Sequence, residues 1–127
     1  MLDHIGINVS DYASARDFYS AALAPLGLKL TMEPIANVGG FAGEDGGAKG
    51  GFPLWIAEGR GAPTVGHVAL TAPDRATVDA FHAAALAAGG TDNGAPGPRP
   101  MYHPDYYGAY VLTADGVNLE AVCHRPE

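Results

Sequence analysis

The chain writes much of its first half a second time. Sliding it by 63 positions sets His4 on His67 without a gap, and with it Asp11 on Asp74, Phe18 on Phe81 and Gly27 on Gly90. Ala21, Ala22, Leu23 and Ala24 fall on Ala84, Ala85, Leu86 and Ala87, but alanine matches carry little weight in a chain this rich in alanine. The His, Asp, Phe and Gly matches carry more, because each pair sits at the same point of the same local pattern. Ile5, Ile7 and Val9 alternate as a half-buried strand does, and Val68, Leu70 and Ala72 repeat the alternation. Ser10 or Asp11, and Asp74, stand where a helix N-cap belongs. Ala15, Phe18, Ala22 and Leu23 then form one helical face, matched by Val78, Phe81, Ala85 and Leu86. Gly27 and Gly90 follow the helix ends, where a left-handed residue is common.

After each helix the pattern turns to strands. LKLTME, NVGGFAG and FPLWIAE are the candidates in the first half. GAYVLTA and VNLEAVC are those in the second, joined by the tight-turn pair Asp115-Gly116, with a weaker strand near GTDNGA. Each half reads strand, helix, three strands, and neither buries enough surface to stand alone. The expected fold class is therefore α+β: two tandem βαβββ modules, 1–60 and 64–125, in one domain over 1–127. They form a cupped mixed sheet with the helices outside.

Composition narrows the function. A 127-residue chain with 47% hydrophobic and 17% charged residues is globular. A formal net charge of −7 argues against nucleic acid and anionic membranes as partners, since both need a basic patch. No apolar run is long enough to span a bilayer, and strand-like alternation starts where a secretion signal would lie. A lone cysteine, Cys123, cannot form an internal disulfide, and a cytoplasmic protein is the simplest reading.

Strand parity then groups the polar residues. With Ile5, Ile7 and Val9 under a helix, His4 lies on the opposite face, and His67 does so by the same rule. In the last strand Glu120 opposes Leu119 and Ala121. His4, His67 and Glu120 thus share the concave face, and two histidines with one carboxylate are the ligand set of a divalent metal ion (Fe, Zn, Mn, Ni or Co) with open coordination positions.

The sequence resembles the vicinal oxygen chelate superfamily, which comprises glyoxalases, extradiol dioxygenases, fosfomycin-resistance transferases and bleomycin-resistance proteins. The resemblance rests on DHIGINVSD, FYSAALAPLGLKL, GHVALTAPD and DGVNLEAVCH and spans nearly the whole chain. It implies paired βαβββ modules, a metal that chelates two oxygens of a small-molecule substrate, and a homodimer, with His4, His67 and Glu120 as the ligands. The repeat leaves open whether His4 meets Glu120 within one chain or across two. Glyoxalases of the group usually carry a fourth ligand in the strand written here FPLWIAEG. Its nearest acid, Glu58, shares parity with Leu54 and Ile56 and so turns away from the cup. The ungapped repeat pairs Glu120 with Ala57, and Trp55, on Ala57's face, is placed in or near the pocket.

The stretch RPMYHPDYYGAY concentrates aromatic residues beside a proline-rich loop. Tyr102 supplies pocket surface, and His103 or Tyr107 is placed as general acid or base. Arg99 and Lys49 are cations that can meet an anionic substrate, although keeping loops soluble is their commoner role. His82 on the second helix and His124 near the C-terminus stay outside the site. Two readings of the whole remain: a metal-dependent enzyme of glyoxalase or dioxygenase type, and a metal-free small-molecule binder like the bleomycin-resistance proteins.

Overall fold

The structure, a computed structural model, describes residues 3–44 and 53–127; Lys49 lies outside the described residues. The first module contains β1 (Ile5–Val9), α1 (Tyr12–Leu23), a 3-10 turn (Ala24–Leu26), β2 (Lys29–Met32), β3 (Val38–Ala42) and β4 (Leu54–Glu58). The second contains β5 (Gly66–Thr71), α2 (Arg75–Ala87), β6 (Thr91–Pro98), β7 (Tyr107–Leu112) and β8 (Val117–Cys123). The α+β tandem architecture is the one the repeat indicates. The strands divide into two four-stranded mixed sheets, ordered β1-β4-β3-β2 and β5-β8-β7-β6. β6 runs eight residues, longer than the short strand expected near GTDNGA.

Local chemistry starts each helix in the same way. Asp11 accepts from the Ser14 N–H at 2.9 Å and Asp74 from the Thr77 N–H at 2.7 Å. Each cap satisfies an N–H that would otherwise lack a partner, a contribution of about 1 kcal/mol. The helix ends differ. Gly27 adopts the left-handed conformation (φ 77°), whereas in the second module Gly89 does so (φ 101°) and Gly90 does not. Gly90 instead leaves room: a Cβ there would strike Val111 Cγ1 and come within 2.9 Å of the Ala85 carbonyl oxygen.

One buried core joins the modules. Ile7, Val9, Leu54 and Ile56 from the first sheet share it with Val111, Val117, Leu119 and Ala121 from the second, and Leu23, Val78 and Phe81 fill it from the helices. The helices pack against each other. At the seam the Ser10 hydroxyl and backbone N–H both donate to Asp115, at 2.6 and 2.9 Å. Because the helix-bearing faces of both sheets are spent on this common core, the alternate residues of every strand face away from it. The first sheet's outer face carries Gly6 and Trp55. The second's carries His67, Ala69, Tyr110 and Glu120.

The registers locate the true structural equivalents. Gly6 pairs with Trp55 and Ala69 with Glu120. Gly6 and Ala69 are the same position of the repeat, so Trp55, rather than Ala57, stands where Glu120 stands. The second module is two residues longer between these points (49 positions from Gly6 to Trp55, 51 from Ala69 to Glu120), which an ungapped comparison cannot show. Glu58 turns to the helix side as parity requires, and its Oε2 accepts from the Tyr12 N–H at 2.8 Å.

Candidate functional site

The centre of the site is a carboxylate that is hidden but not alone. Glu120 is 2% exposed, although it lies on the face turned away from the core. A buried carboxylate needs partners for both oxygens, since an unpaired one costs several kcal/mol. Oε2 lies 2.9 Å from His67 Nε2, and Oε1 accepts from the Tyr106 hydroxyl at 2.5 Å. Tyr110, directly across the β7–β8 ladder, stands against the same group.

His67 is oriented by its other nitrogen. Nδ1 lies 3.2 Å from the Asn118 carbonyl, its register partner on β8. A carbonyl only accepts, so Nδ1 carries hydrogen and donates, and Nε2 is the nitrogen turned toward Glu120. Such a backbone anchor on the second ring nitrogen is usual for a histidine that binds metal. The Tyr110 ring stacks over the imidazole at 6.2 Å between centroids.

Around the pair lies an open pocket of about 520 Å³ lined by His67, Tyr102, His103, Tyr106, Tyr110 and Glu120, together with Asn118. All of these belong to the second module. The loop between β6 and β7 supplies the rim and is tied down by backbone bonds. The Arg99 N–H donates to the Tyr106 carbonyl at 2.8 Å, and the Tyr106 N–H to the His103 carbonyl at 3.1 Å. The Tyr102 ring leans on Tyr106 at 4.8 Å. His103 is fixed as a tautomer: its Nδ1 accepts from the Asp105 N–H, so Nε2 carries the hydrogen and donates to His124 Nδ1 at 2.8 Å. Burial and the Glu120 carboxylate hold the Tyr106 phenol well above the usual value, and the same two causes raise Tyr110.

The structure brings together His67, Glu120, His103 and Tyr102 from the expected set. Tyr107 is not among them. Its side chain lies on the helix side of β7, where the hydroxyl donates to Asp79 at 2.8 Å and the Arg75 guanidinium covers the ring at 5.0 Å. Its neighbour Tyr106 takes the pocket instead. Arg99 sits over the Tyr110 ring at 5.5 Å, but its guanidinium nitrogens donate to the carbonyls of Ala95 and Pro98. His82 is structural, paired with Asp92 at 3.0 Å. His4 stands at the first sheet, 2.6 Å from Asp3 Oδ1, and Trp55 is on that sheet's outer face. Neither lines the pocket. Among the described residues no three His, Cys, Asp or Glu side chains come together as one chain's metal cluster. Tyr106 and Tyr110 are the site residues that strand alternation alone does not single out. Hairpin symmetry about Asp115 sets Tyr110 opposite Glu120, and the same register continued past the strand end sets Tyr106 beside His124.

A more enclosed cavity of about 150 Å³ lies at the seam between the modules, against Ile7, Phe18, Tyr19 and Val117. It touches none of the expected site residues.

Comparison with known proteins gives one family and one fold. The family model for the glyoxalase/bleomycin resistance protein/dioxygenase superfamily matches residues 1–121. A solved glyoxalase/bleomycin resistance protein from Albidiferax ferrireducens T118 is 26% identical with a TM-score of 0.82, covering 97% of this chain and 98% of that one. A glyoxalase-related enzyme from Fulvimarina pelagi shares the fold at 16% identity and a TM-score of 0.72, over 97% and 87% of the two chains. A glyoxalase/bleomycin resistance protein/dioxygenase family enzyme from Burkholderia phytofirmans PsJN does so at 17% and 0.68, over 97% and 98%. No curated relative matches the chain.

Proposed function

The chain belongs to the glyoxalase/bleomycin resistance protein/dioxygenase superfamily, and on that premise we propose that it is a cytoplasmic, divalent-metal-dependent enzyme of glyoxalase or dioxygenase type, acting on a small oxygen-rich substrate held through two neighbouring oxygens. The observation that carries this reading is the His67–Glu120 pair, with Nε2 and Oε2 at 2.9 Å and the far ring nitrogen anchored on a backbone carbonyl. One imidazole nitrogen and one carboxylate oxygen, side by side at the floor of an open pocket, suit Fe, Zn, Mn, Ni or Co. The contact between them needs one proton, which a cation would displace.

These two residues fill two places of the ligand set. The third is His4, whose sheet faces away from the core on its own side. A second copy that set its first sheet over this pocket would bring His4 beside His67 and Glu120, and Trp55 with it. In this reading the working unit is a homodimer with two equivalent cups. A metal in the cup would supply positive charge for the oxyanion that develops on the substrate. The chain's own residues do the rest. Tyr102, Tyr106 and Tyr110 exclude water and give the pocket apolar area, while His103 would move a proton at the substrate only through Nε2, by exchanging its His124 contact for the substrate.

Metal content of protein purified without chelators, followed by thiol hemiacetals, catechols and fosfomycin as substrates, tests the activity. Mixing His4→Ala with Glu120→Ala protein tests the shared cup. Random exchange should restore roughly a quarter of the wild-type metal sites, one in each mixed dimer; no recovery rejects a cup built from two chains. A second reading has its own observation: no three-residue metal cluster forms among the described residues of one chain. A metal-free binder would then use the tyrosine-lined pocket to hold an aromatic ligand. Protein that carries no metal yet binds such a ligand tightly decides for it.

A further inference from the structure

The two oxygens of Glu120 have different neighbours, and the difference is imposed from outside the carboxylate. Oε2 faces His67 Nε2. Oε1 faces the Tyr106 hydroxyl. Tyr106 does not follow the carboxylate to its place. It is delivered by a loop closed on itself by the Arg99–Tyr106 and Tyr106–His103 backbone bonds, and its ring is wedged edge-on against His103 at 5.4 Å and His124 at 5.2 Å. Room for the contact is left by Gly108 on β7. A Cβ there would come within 3.0 Å of Glu120 Oε1 and 3.2 Å of Tyr106 Cε1. This glycine serves space rather than backbone freedom, and the space it leaves is where the Tyr106 phenol meets the carboxylate, with the Tyr110 hydroxyl beside them.

We propose that Tyr106 is a positioning residue: its hydroxyl, in the gap left by Gly108, occupies Glu120 Oε1 so that the carboxylate presents only Oε2 beside His67. The inference rests on the metal reading in so far as the group held by Oε2 is a cation. A carboxylate with one oxygen reserved for a phenol binds through a single oxygen, which keeps further coordination positions free for substrate. Freed of the phenol, both oxygens can turn to the cation and close one of those positions.

Cobalt(II) is the probe, because its visible absorption reports coordination number as well as affinity. The full-length protein is titrated as wild type, as Tyr106→Phe and as Gly108→Ala, with unfolding midpoints measured alongside. Tyr106→Phe should bind cobalt about 10- to 100-fold more weakly, because the carboxylate is no longer held beside His67, with a changed visible spectrum and a lowered midpoint in the metal-free protein, since Glu120 Oε1 loses its partner. Gly108→Ala, which keeps the hydroxyl but crowds it, should move affinity and spectrum in the same direction. The double variant should be no worse than the poorer single one, since both act on one hydrogen bond. Wild-type affinity and spectrum in Tyr106→Phe would overturn the proposal. Failure of the wild type to take up cobalt would sink the metal reading instead. Crystal structures of the metal-free wild type and Tyr106→Phe then decide the positioning role: a Glu120 side chain swung from its wild-type place upholds it, and an unmoved one overturns it.

Discussion

Across the β1–β4 pair Gly6 lies beside Trp55, and across the β5–β8 pair Ala69 lies beside Glu120. The small residues mark the same position of a repeated module, yet what they face differs completely: an indole on one sheet and a hidden carboxylate on the other. The surroundings differ with it. On the first sheet, a Cβ on Gly6 would meet no described atom within 4 Å. Over the second, the β6–β7 loop folds tyrosines onto Glu120. Duplication gave both sheets a histidine at the strand start, His4 and His67, but only one sheet completed a polar centre around it. The other keeps its histidine and carries Trp55 on its outer face. In the proposed dimer the two different faces would meet, each bringing its own residues to the cup.

The sharpest way to break this contrast is to delete the two counterparts in turn. Glu120→Ala removes an anion and leaves the Tyr106 hydroxyl and His67 Nε2 without their partner. It should weaken cobalt(II) binding by about 100-fold or more, and cost about 1–3 kcal/mol of stability from the orphaned polar groups. Trp55→Leu should leave cobalt affinity within about threefold of wild type, since it contributes no ligand. Calorimetric titration of both variants measures the gap, and equal losses at the two positions would erase the distinction drawn between the faces.

A gain tests the same contrast from the other side. Trp55→Glu places a carboxylate at the position equivalent to Glu120. In a cup shared by two copies it would stand near the cation as a fourth protein ligand, and affinity should rise about tenfold, worth ~1.4 kcal/mol. An unchanged isotherm would mean that the first sheet does not reach the cation, and the homodimeric cup would have to be redrawn.

Much of this was legible in the residues, and what was not has a physical reason. Period-two alternation put His67 and Glu120 on one face, because both lie inside regular strands where parity is reliable. It sent Glu58 to the helix side for the same reason. Tyr107 was chosen from the aromatic density of its stretch, with neither its facing nor that of Tyr106 tied to the hairpin register. Positions equidistant from Asp115 are partners on β7 and β8, so Tyr110, Gly108 and Tyr106 all take the facing of Glu120. The first-sheet equivalent of Glu120 was hidden by loop length. Two extra residues in the second module break the 63-position offset before the last strand, and only the strand pairing restores it. The left-handed residue after α2 is Gly89 rather than Gly90.

That last shift separates two glycines that the repeat makes equivalent. Gly27 needs its left-handed φ of 77°, but a Cβ added there would meet nothing within 4 Å, whereas Gly90 has Val111 and the Ala85 carbonyl pressed against it. Gly27→Ala should therefore cost about 1 kcal/mol through backbone strain. Gly90→Ala should cost more, about 1–3 kcal/mol, through overpacking of a buried seam. Urea unfolding of the two variants reads the order, and the reverse order would show that backbone strain rather than packing governs the helix ends.

The smallest effect compares two phenol–carboxylate pairs. In the first module the Tyr12 hydroxyl donates to Glu33 at 2.6 Å; in the second, Tyr106 donates to Glu120. Burial first, and the Glu33 partner second, raise the Tyr12 phenol from 10.0 to about 12, and burial with Glu120 raises Tyr106 as well. A raised folded-state value means the native protein keeps protons that the unfolded chain has released. The stabilisation is complete below pH ~10, where unfolded tyrosine is still protonated, and falls as pH climbs from there through about 12. Unfolding midpoints should hence decline over that window, while ultraviolet titration shows Tyr12 ionising late. Glu33→Gln removes the second cause and leaves the first, so Tyr12 should move only part of the way back toward 10. A full return would make Glu33 the main cause and burial the minor one. Tyr106 should not respond to Glu33→Gln, because its anion is Glu120 on the other sheet.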